Sequence, residues 1–295
     1  MEKITKMLGC RWPVIQGAMG IICNPEMVAA VSEAGGYGLL ATAFLTDPEI
    51  FRRQIEATHK LTDKPFGANL MPMNPLTPTL AEIAVDLGLP GVTTSGGSPK
   101  ALTAFLKGHG VKVLHVAANV RDAIKAEFAG VDAVIAEGME SGGMQGPHGV
   151  STFVLIPMVA DAVKIPVVAA GGIGDRRGFR AAIELGASGV QVGTRFIAST
   201  ECIAHAKYKN ALVNASDTDT VLIGQDRIRF RVINTPVAGK PAQQPPEAMF
   251  STFVANLESS WINGNIDAAP LAAGQAAGLV HEIILVREII EEMVG

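Results

Sequence analysis

Three short apolar runs, each ending in glycines and separated by stretches of helical period, constrain this chain more than any other feature. Val131–Glu137 leads into Gly138-Met139-Glu140-Ser141-Gly142-Gly143-Met144, Pro166–Ala170 into Gly171-Gly172-Ile173-Gly174-Asp175, and Gly189–Val192 into Gly193-Thr194-Arg195. Thr152–Ala162 and Arg176–Leu185 carry the helical spacing between them. Strand, turn and helix in repetition is the pattern of parallel strands joined by crossover helices. Glycines at the strand ends let backbone N–H groups approach a ligand with no Cβ in the way, and the helix N-termini that follow favour an anion. The pattern therefore predicts a cofactor phosphate at these turns.

The same unit recurs upstream. Val14–Gln16 runs into Gly17-Ala18-Met19-Gly20, and Asn24-Pro25-Glu26 then reads as the cap, first residue and first-turn acid of a helix. Strands are predicted at Tyr37–Ala41, Pro65–Met71, Gly91–Ser95 and Val111–Ala117, with helices after each. About eight strand–helix units result, the number that closes a TIM (β/α)8 barrel. An open doubly wound sheet would need Gly-x-Gly-x-x-Gly after an early strand, which is not there.

Mean hydropathy is high at +0.30. Gly, Pro or charge nevertheless breaks the apolar runs within about ten residues, short of the ~20 a membrane helix needs. Buried parallel strands explain the hydropathy better than spans. Met1–Lys6 has no apolar leader, so a cytoplasmic location is expected. Cys10, Cys23 and Cys202 are odd in number and lack Cys-x-x-Cys spacing, which argues against a disulfide frame and a metal centre. A net charge of −4 gives no reason to expect nucleic acid.

In a barrel, function sits at the C-terminal ends of the strands, here Gln16, Gly17, Met19, Asn69, Ser95, His115, Glu137, Gly171, Gly172, Gln191, Gly193 and Thr194. Any one of these could merely satisfy backbone at the mouth; together they favour a ligand. The rhythm changes after Arg195. Residues 1–197 are expected to form the barrel, 198–275 a smaller helical cap over its mouth, and 276–295 a helix packing back on the barrel. Pro236–Pro246 reads as a loop or lid margin, with helical patterns at Ala248–Ile262 and Ala276–Met293. Asp226–Val232 alternates with period two, which as a strand puts Arg227, Arg229 and Arg231 on one face. That face reads as a solvated edge, or alternatively as a dock for an acidic carrier or a nucleotide phosphate.

Five fragments then carry a resemblance: Glu137–Gly143, Ala169–Ile173, Val190–Phe196, Ala204–Lys209 and Ala273–Leu279. With Gln16–Met19 and Pro65–Asn69, they resemble the FMN-dependent group of nitronate monooxygenases (2-nitropropane dioxygenases) and FMN enoyl-acyl-carrier-protein reductases, almost end to end. Met139 and the Ala-His-x-x-Tyr-Lys stretch at 204–209 lean toward the enoyl reductases. The resemblance implies a TIM barrel that holds FMN noncovalently. Its phosphate would lie at Gly171, Gly172, Gly193 and Thr194, its ring against Gly17, Ala18 and Met19, and its ribityl chain or ring near Asn69, Glu137 and Gln191. Gly142 and Gly143 of the acidic motif complete the cofactor-binding set.

The resemblance further implies NADH or NADPH as an electron donor, and an acyl carrier protein or a coenzyme A thioester as partner beside a small-molecule substrate. A homodimer belongs with these expectations. Three outcomes stay open at this point: enoyl-thioester reduction, nitronate oxidation, and flavin binding without turnover.

One departure stands out. The group places an acid–base His after Gly-Gly, and here the residue is Met144, whose thioether has no transferable proton. His148, four residues later, is the candidate replacement as catalytic residue. His205, with Lys207 or Lys209, is a candidate to order the phosphate-side helix.

Overall fold

The computed structural model describes residues 1–146, 148–225, 228–238 and 250–295. In chain order the elements are α1 (Glu2–Leu8), β1 (Val14–Gln16), α2 (Pro25–Glu33), β2 (Leu39–Ala41), α3 (Pro48–Leu61), β3 (Gly67–Leu70), α4 (Thr77–Asp86), β4 (Gly91–Thr94), α5 (Lys100–Gly108) and β5 (Lys112–Ala117). They continue with α6 (Val120–Phe128), β6 (Ala133–Glu137), β7 (Gly143–Gln145), α7 (Thr152–Ala162), β8 (Val167–Ala170), α8 (Arg176–Glu184), β9 (Gly189–Val192), α9 (Thr194–Ile197), α10 (Ala206–Val213), β10 (Thr220–Gln225), β11 (Ile228–Ile233), α11 (Phe250–Trp261) and α12 (Val286–Val294).

Eight parallel strands pair in the order β1-β9-β8-β6-β5-β4-β3-β2. The ring closes between β1 and β2 through a single parallel bridge, Ile15 to Tyr37. Gln16 completes that seam: its Oε1 accepts from Leu39 N at 3.0 Å and its Nε2 donates to Gly17 O. A fully buried amide side chain thus replaces ladder bonds that two three-residue strands are too short to make. This is the barrel that the repeated units predict.

Side chains that share a register point the same way in a parallel sheet, and this separates two cores. Ile15, Leu39, Leu114, Ala133, Ile135, Val168 and Ala170 fill the interior, with Ile4 and Leu8 of α1 packed among them. The larger core lies between strands and outer helices, and includes Val14, Leu40, Val92, Val134, Ala169 and Val190. The N-terminal segment, read above only for its lack of an apolar leader, is therefore a helix whose Ile4 and Leu8 are fully buried in the barrel interior.

The cap differs from the expected all-helical one. It holds α10 and α11, but also the antiparallel pair β10–β11, and β11 pairs on its other side with β7. The alternating stretch is thus a central strand, not an edge. The helix expected across Ala276–Met293 is also divided. Gln275–Leu279 is a 3-10 turn, Ile284 makes a parallel bridge to Ser199, and only Val286–Val294 is α-helical. That last helix packs on α2 and α8. Asp226, Arg227, Ala248 and the part of the proline-rich margin from 239 onward lie outside the described residues. No helix among the described residues is long and apolar enough to cross a membrane.

Candidate active site

Register decides which strand-end residues face the barrel axis. Ile15 pairs with Gln191, Gln191 with Ala170, and Ala170 with Glu137, so Gln191 and Glu137 share the interior face. Asn69 pairs with Thr93, which pairs with Leu114, so Asn69 joins that face from the far side of the ring. Asn69 is held there: its Nδ2 donates to Thr93 Oγ1 at 2.9 Å and its Oδ1 accepts from Ser95 Oγ at 3.2 Å. His115 falls in the other register, opposite Val134. Its Nδ1 lies 2.7 Å from Thr94 Oγ1, and burial pushes its pKa down to about 4. It is a neutral residue of the outer core, away from the mouth.

The glycine turns converge. A Cβ on Gly17 would touch Gln191 Cγ at 3.4 Å, and one on Gly193 would meet Met19 Cγ at 3.7 Å, so the first turn lies against the last. Ala18 is exposed at its tip. Thr194 Oγ1 accepts from Gly274 N at 2.9 Å, and a Cβ on Gly142 would lie 2.6 Å from that same nitrogen. Gly171 and Gly172 have φ of 97° and 72°, conformations that favour glycine. Beside Gly172 stands the Glu140 side chain, 3.4 Å from where a Cβ would be.

Three helices start next to these turns, and two of the starts are already occupied. Glu140 takes Thr152 N at 2.8 and 2.9 Å and Thr152 Oγ1 at 2.9 Å, which closes α7. Asp175 takes Arg177 N at 2.8 Å and Gly178 N at 3.2 Å, which closes α8. The short α9, capped by Gly193, has no side-chain cap. The N–H of Gly172 also meets no backbone carbonyl among the described residues. Free donors are what a phosphate requires, and they lie on the Gly172 and Gly193–Thr194 side, so these residues fit the FMN phosphate that the resemblance implies.

Glu137 ends β6 at the mouth. Burial raises its carboxyl to about 7, with the Ser141 hydroxyl pulling the other way. Ser141 is itself held by Gln145, whose Nε2 donates to Ser141 O at 2.7 Å and Oγ at 2.8 Å. Neither Ser141 nor Gln145 stood out in the sequence, because each acts through a loop whose path is set elsewhere.

The remaining candidates sit apart from this cluster. Met144 lies on β7 opposite Phe230 and is 40% exposed. His148 is exposed and lines a cavity of about 380 Å³ with Asn119, Val120, Arg121, Leu155 and Met158, outside the ring of strand-end residues. His205 caps α10, its Nδ1 accepting from Lys207 N at 3.1 Å. Lys209 is buried and donates to Ser199 O at 2.6 Å. It is therefore spent on the chain itself.

The arginine strand is spent likewise. Arg231 is 4% exposed, and its Nε donates to Met139 O at 3.0 Å and its Nη1 to Thr220 Oγ1 at 3.3 Å. Arg229 Nη2 donates to Gly146 O at 3.2 Å. These two side chains are directed at the β6–α7 loop and do not form an open docking face.

The profile of the family described as nitronate monooxygenase matches residues 1–86 and 82–295. The chain is 31% identical to a nitronate monooxygenase of Pseudomonas aeruginosa, covering 100% of this chain and 99% of that protein. It is 32% identical, over 99% of its length and 94% of the relative's, to (3aS,4S,5R,7aS)-5-hydroxy-7a-methyl-1-oxo-octahydro-1H-indene-4-carboxyl-CoA dehydrogenase of Rhodococcus jostii. Among solved structures, FabK from Thermotoga maritima superposes with a TM-score of 0.90 at 40% identity, covering 99% of this chain and 94% of that one. A nitroalkane oxidase from Streptomyces ansochromogenes gives 0.83 at 27%, covering 99% and 96%.

Proposed function

This chain belongs to the nitronate monooxygenase family and is a flavin-dependent oxidoreductase, and we propose that it reduces an enoyl thioester with hydride drawn from NADH or NADPH. FMN, when bound, supplies the centre that accepts and gives hydride. The chain supplies position, charge and a proton. We assign the phosphate to the N–H groups of Gly171, Gly172, Gly193 and Thr194 and the Thr194 hydroxyl, with Gly142 and Gly143 on the facing wall. Gly17, Ala18 and Met19 take the ring, and Asn69, Glu137 and Gln191 the ribityl chain or ring.

Glu137 is the observation that carries the choice of reaction. Adding hydride to the β-carbon of an enoyl thioester leaves the α-carbon in need of one proton. A carboxyl at the mouth with its pKa raised to about 7 keeps a substantial protonated fraction at neutral pH and can give that proton. A neutral nitroalkane instead needs a base to break its C–H bond, and Met144 cannot act as one. The enoyl-reductase form of the acidic motif at Met139 supports the same reading, and so does the carboxyl-CoA substrate named for the Rhodococcus relative. The thioester would be carried on coenzyme A or an acyl carrier protein. A second reading, oxidation of alkyl nitronates, draws on Met144: a nitronate arrives deprotonated and requires no base.

Anaerobic titration of the holoprotein separates the two. The thioester reading expects NADH or NADPH to bleach the flavin and a 2-enoyl-CoA to restore its colour. If propyl-2-nitronate bleaches it while neither nucleotide does, nitronate oxidation takes its place.

A further inference from the structure

The loop from Met139 to Gly146 is gripped at both ends by one strand of the cap. Arg231 binds Met139 O at 3.0 Å, Arg229 binds Gly146 O at 3.2 Å, and between them β11 pairs with β7, setting Arg231 opposite Gly143 and Phe230 opposite Met144. The grip is buried: Arg231 is 4% exposed. Its other contact, Thr220 Oγ1 on β10, fixes the guanidinium from the hairpin side. The same strand is tied to the rest of the cap, since Ala273 N donates to Arg231 O at 3.3 Å and Val232 bridges Ala272.

Met139 O belongs to the peptide that begins Glu140, and the Glu140 carboxylate attracts the Arg231 guanidinium without forming an ion pair with it. Glu140 in turn stands against Gly172, its Cγ 3.6 Å from where a Cβ of Gly172 would be. A carboxylate in this place opposes a dianion arriving at the Gly172 turn, because like charges in a partly desolvated site repel strongly. The buried Arg231 guanidinium, which attracts Glu140, offsets part of that charge.

We propose that Arg231 is the positioning residue of the phosphate end of the site, fixing the Met139–Gly143 segment through Met139 O and offsetting Glu140 so that a phosphate dianion is accepted at Gly172. The proposal rests on the assignment of the FMN phosphate to that turn. It makes Arg231 a determinant of FMN over its uncharged counterpart, riboflavin. A purely structural arginine would affect both flavins alike.

The test is to titrate the full chain with FMN and with riboflavin, following quenching of flavin fluorescence. Wild type is expected to prefer FMN. Arg231→Met should weaken FMN binding by roughly 10- to 100-fold while riboflavin changes less than about threefold, the size expected for loss of one charge–charge contact in a partly buried site. Arg231→Lys, which keeps the charge, should recover most of the preference. Glu140→Gln, whose amide oxygen can still accept from Thr152, should raise the preference for FMN and restore it in the Arg231→Met background.

Equal loss of both flavins in Arg231→Met, or no loss of either, would overturn the proposal while leaving the phosphate assignment intact. If Arg231→Met does not fold, Glu140→Gln decides alone: an unchanged FMN-to-riboflavin ratio overturns the proposal. A wild type without preference would remove the phosphate assignment itself, and the proposal with it.

Discussion

The two sides of the barrel mouth are built by different means. On the β8–β9 side, Gly171, Gly172, Gly193 and Thr194 follow four-residue strands, and apart from the Thr194 hydroxyl, which accepts from Gly274 N, the geometry is local to each turn. On the β6 side, the segment from Met139 to Gly146 takes its path from β11, far later in the sequence. The first side depends mainly on the absence of side chains, Thr194 apart; the second depends on the side chains of a distant hairpin. Glycine turns thus define where an anion can sit, while cap contacts define what faces it.

The sharpest way to break this comparison is at Gly172. There is space in the protein for a Cβ there, since the nearest atoms are those of Glu140 at 3.4 Å and beyond, so the main cost to the fold is the strain of a positive φ, about 2 kcal/mol for a β-branched residue. Gly172→Val is expected to lower FMN affinity by about 100-fold or more with a modest fall in Tm, because the added methyl groups stand where the phosphate approaches. FMN retained at full affinity would detach this turn from the cofactor.

On the other side, Met144→His restores an acid–base group to a partly exposed position on β7. Turnover of neutral nitroalkanes should rise by roughly 10²-fold or more, the usual size of general base catalysis, while nitronate oxidation stays level. No change in either activity would mean that position 144 does not face the reacting carbon.

Glu137, between the two sides, gives a smaller effect that is read as stability. Its folded pKa is raised, so its contribution to stability is fully present below the unfolded value of about 4.5 and is lost as pH rises through about 7. Glu137→Gln in the flavin-free chain should therefore gain at most about 3 kcal/mol relative to wild type at pH 9 compared with pH 4. Parallel denaturation curves at the two pH values would show that the carboxyl is well solvated.

The smallest effect is expected at His148. Facing the outer cavity with Asn119 and Met158, it should tolerate replacement by Ala with less than about a twofold change in kcat/KM. A fall of 10²-fold, with loss of a kinetic pKa near that of imidazole, would bring it back to the mouth.

Much of this arrangement was legible in the chain itself. Eight apolar runs with glycine or polar ends specify a parallel barrel, because buried strands need crossover helices and a ring removes both edges. Asn69, Glu137 and Gln191 could be listed as strand ends, and their shared interior face follows from the period of two once the register is known. That register was not in the sequence: His115 lies in the second half of β5, yet it is one position out of phase and faces the helices. The arginine strand went the same way, since alternation reveals a strand but not its neighbours, and pairing with β7 turned an apparent edge into a buried clamp. Local pattern fixes an element's type because propensity and periodicity act over a few residues. Which side of the mouth each residue faces, and whether Arg231 meets solvent or Met139, was left to tertiary packing, because those contacts join segments that have no relation along the chain.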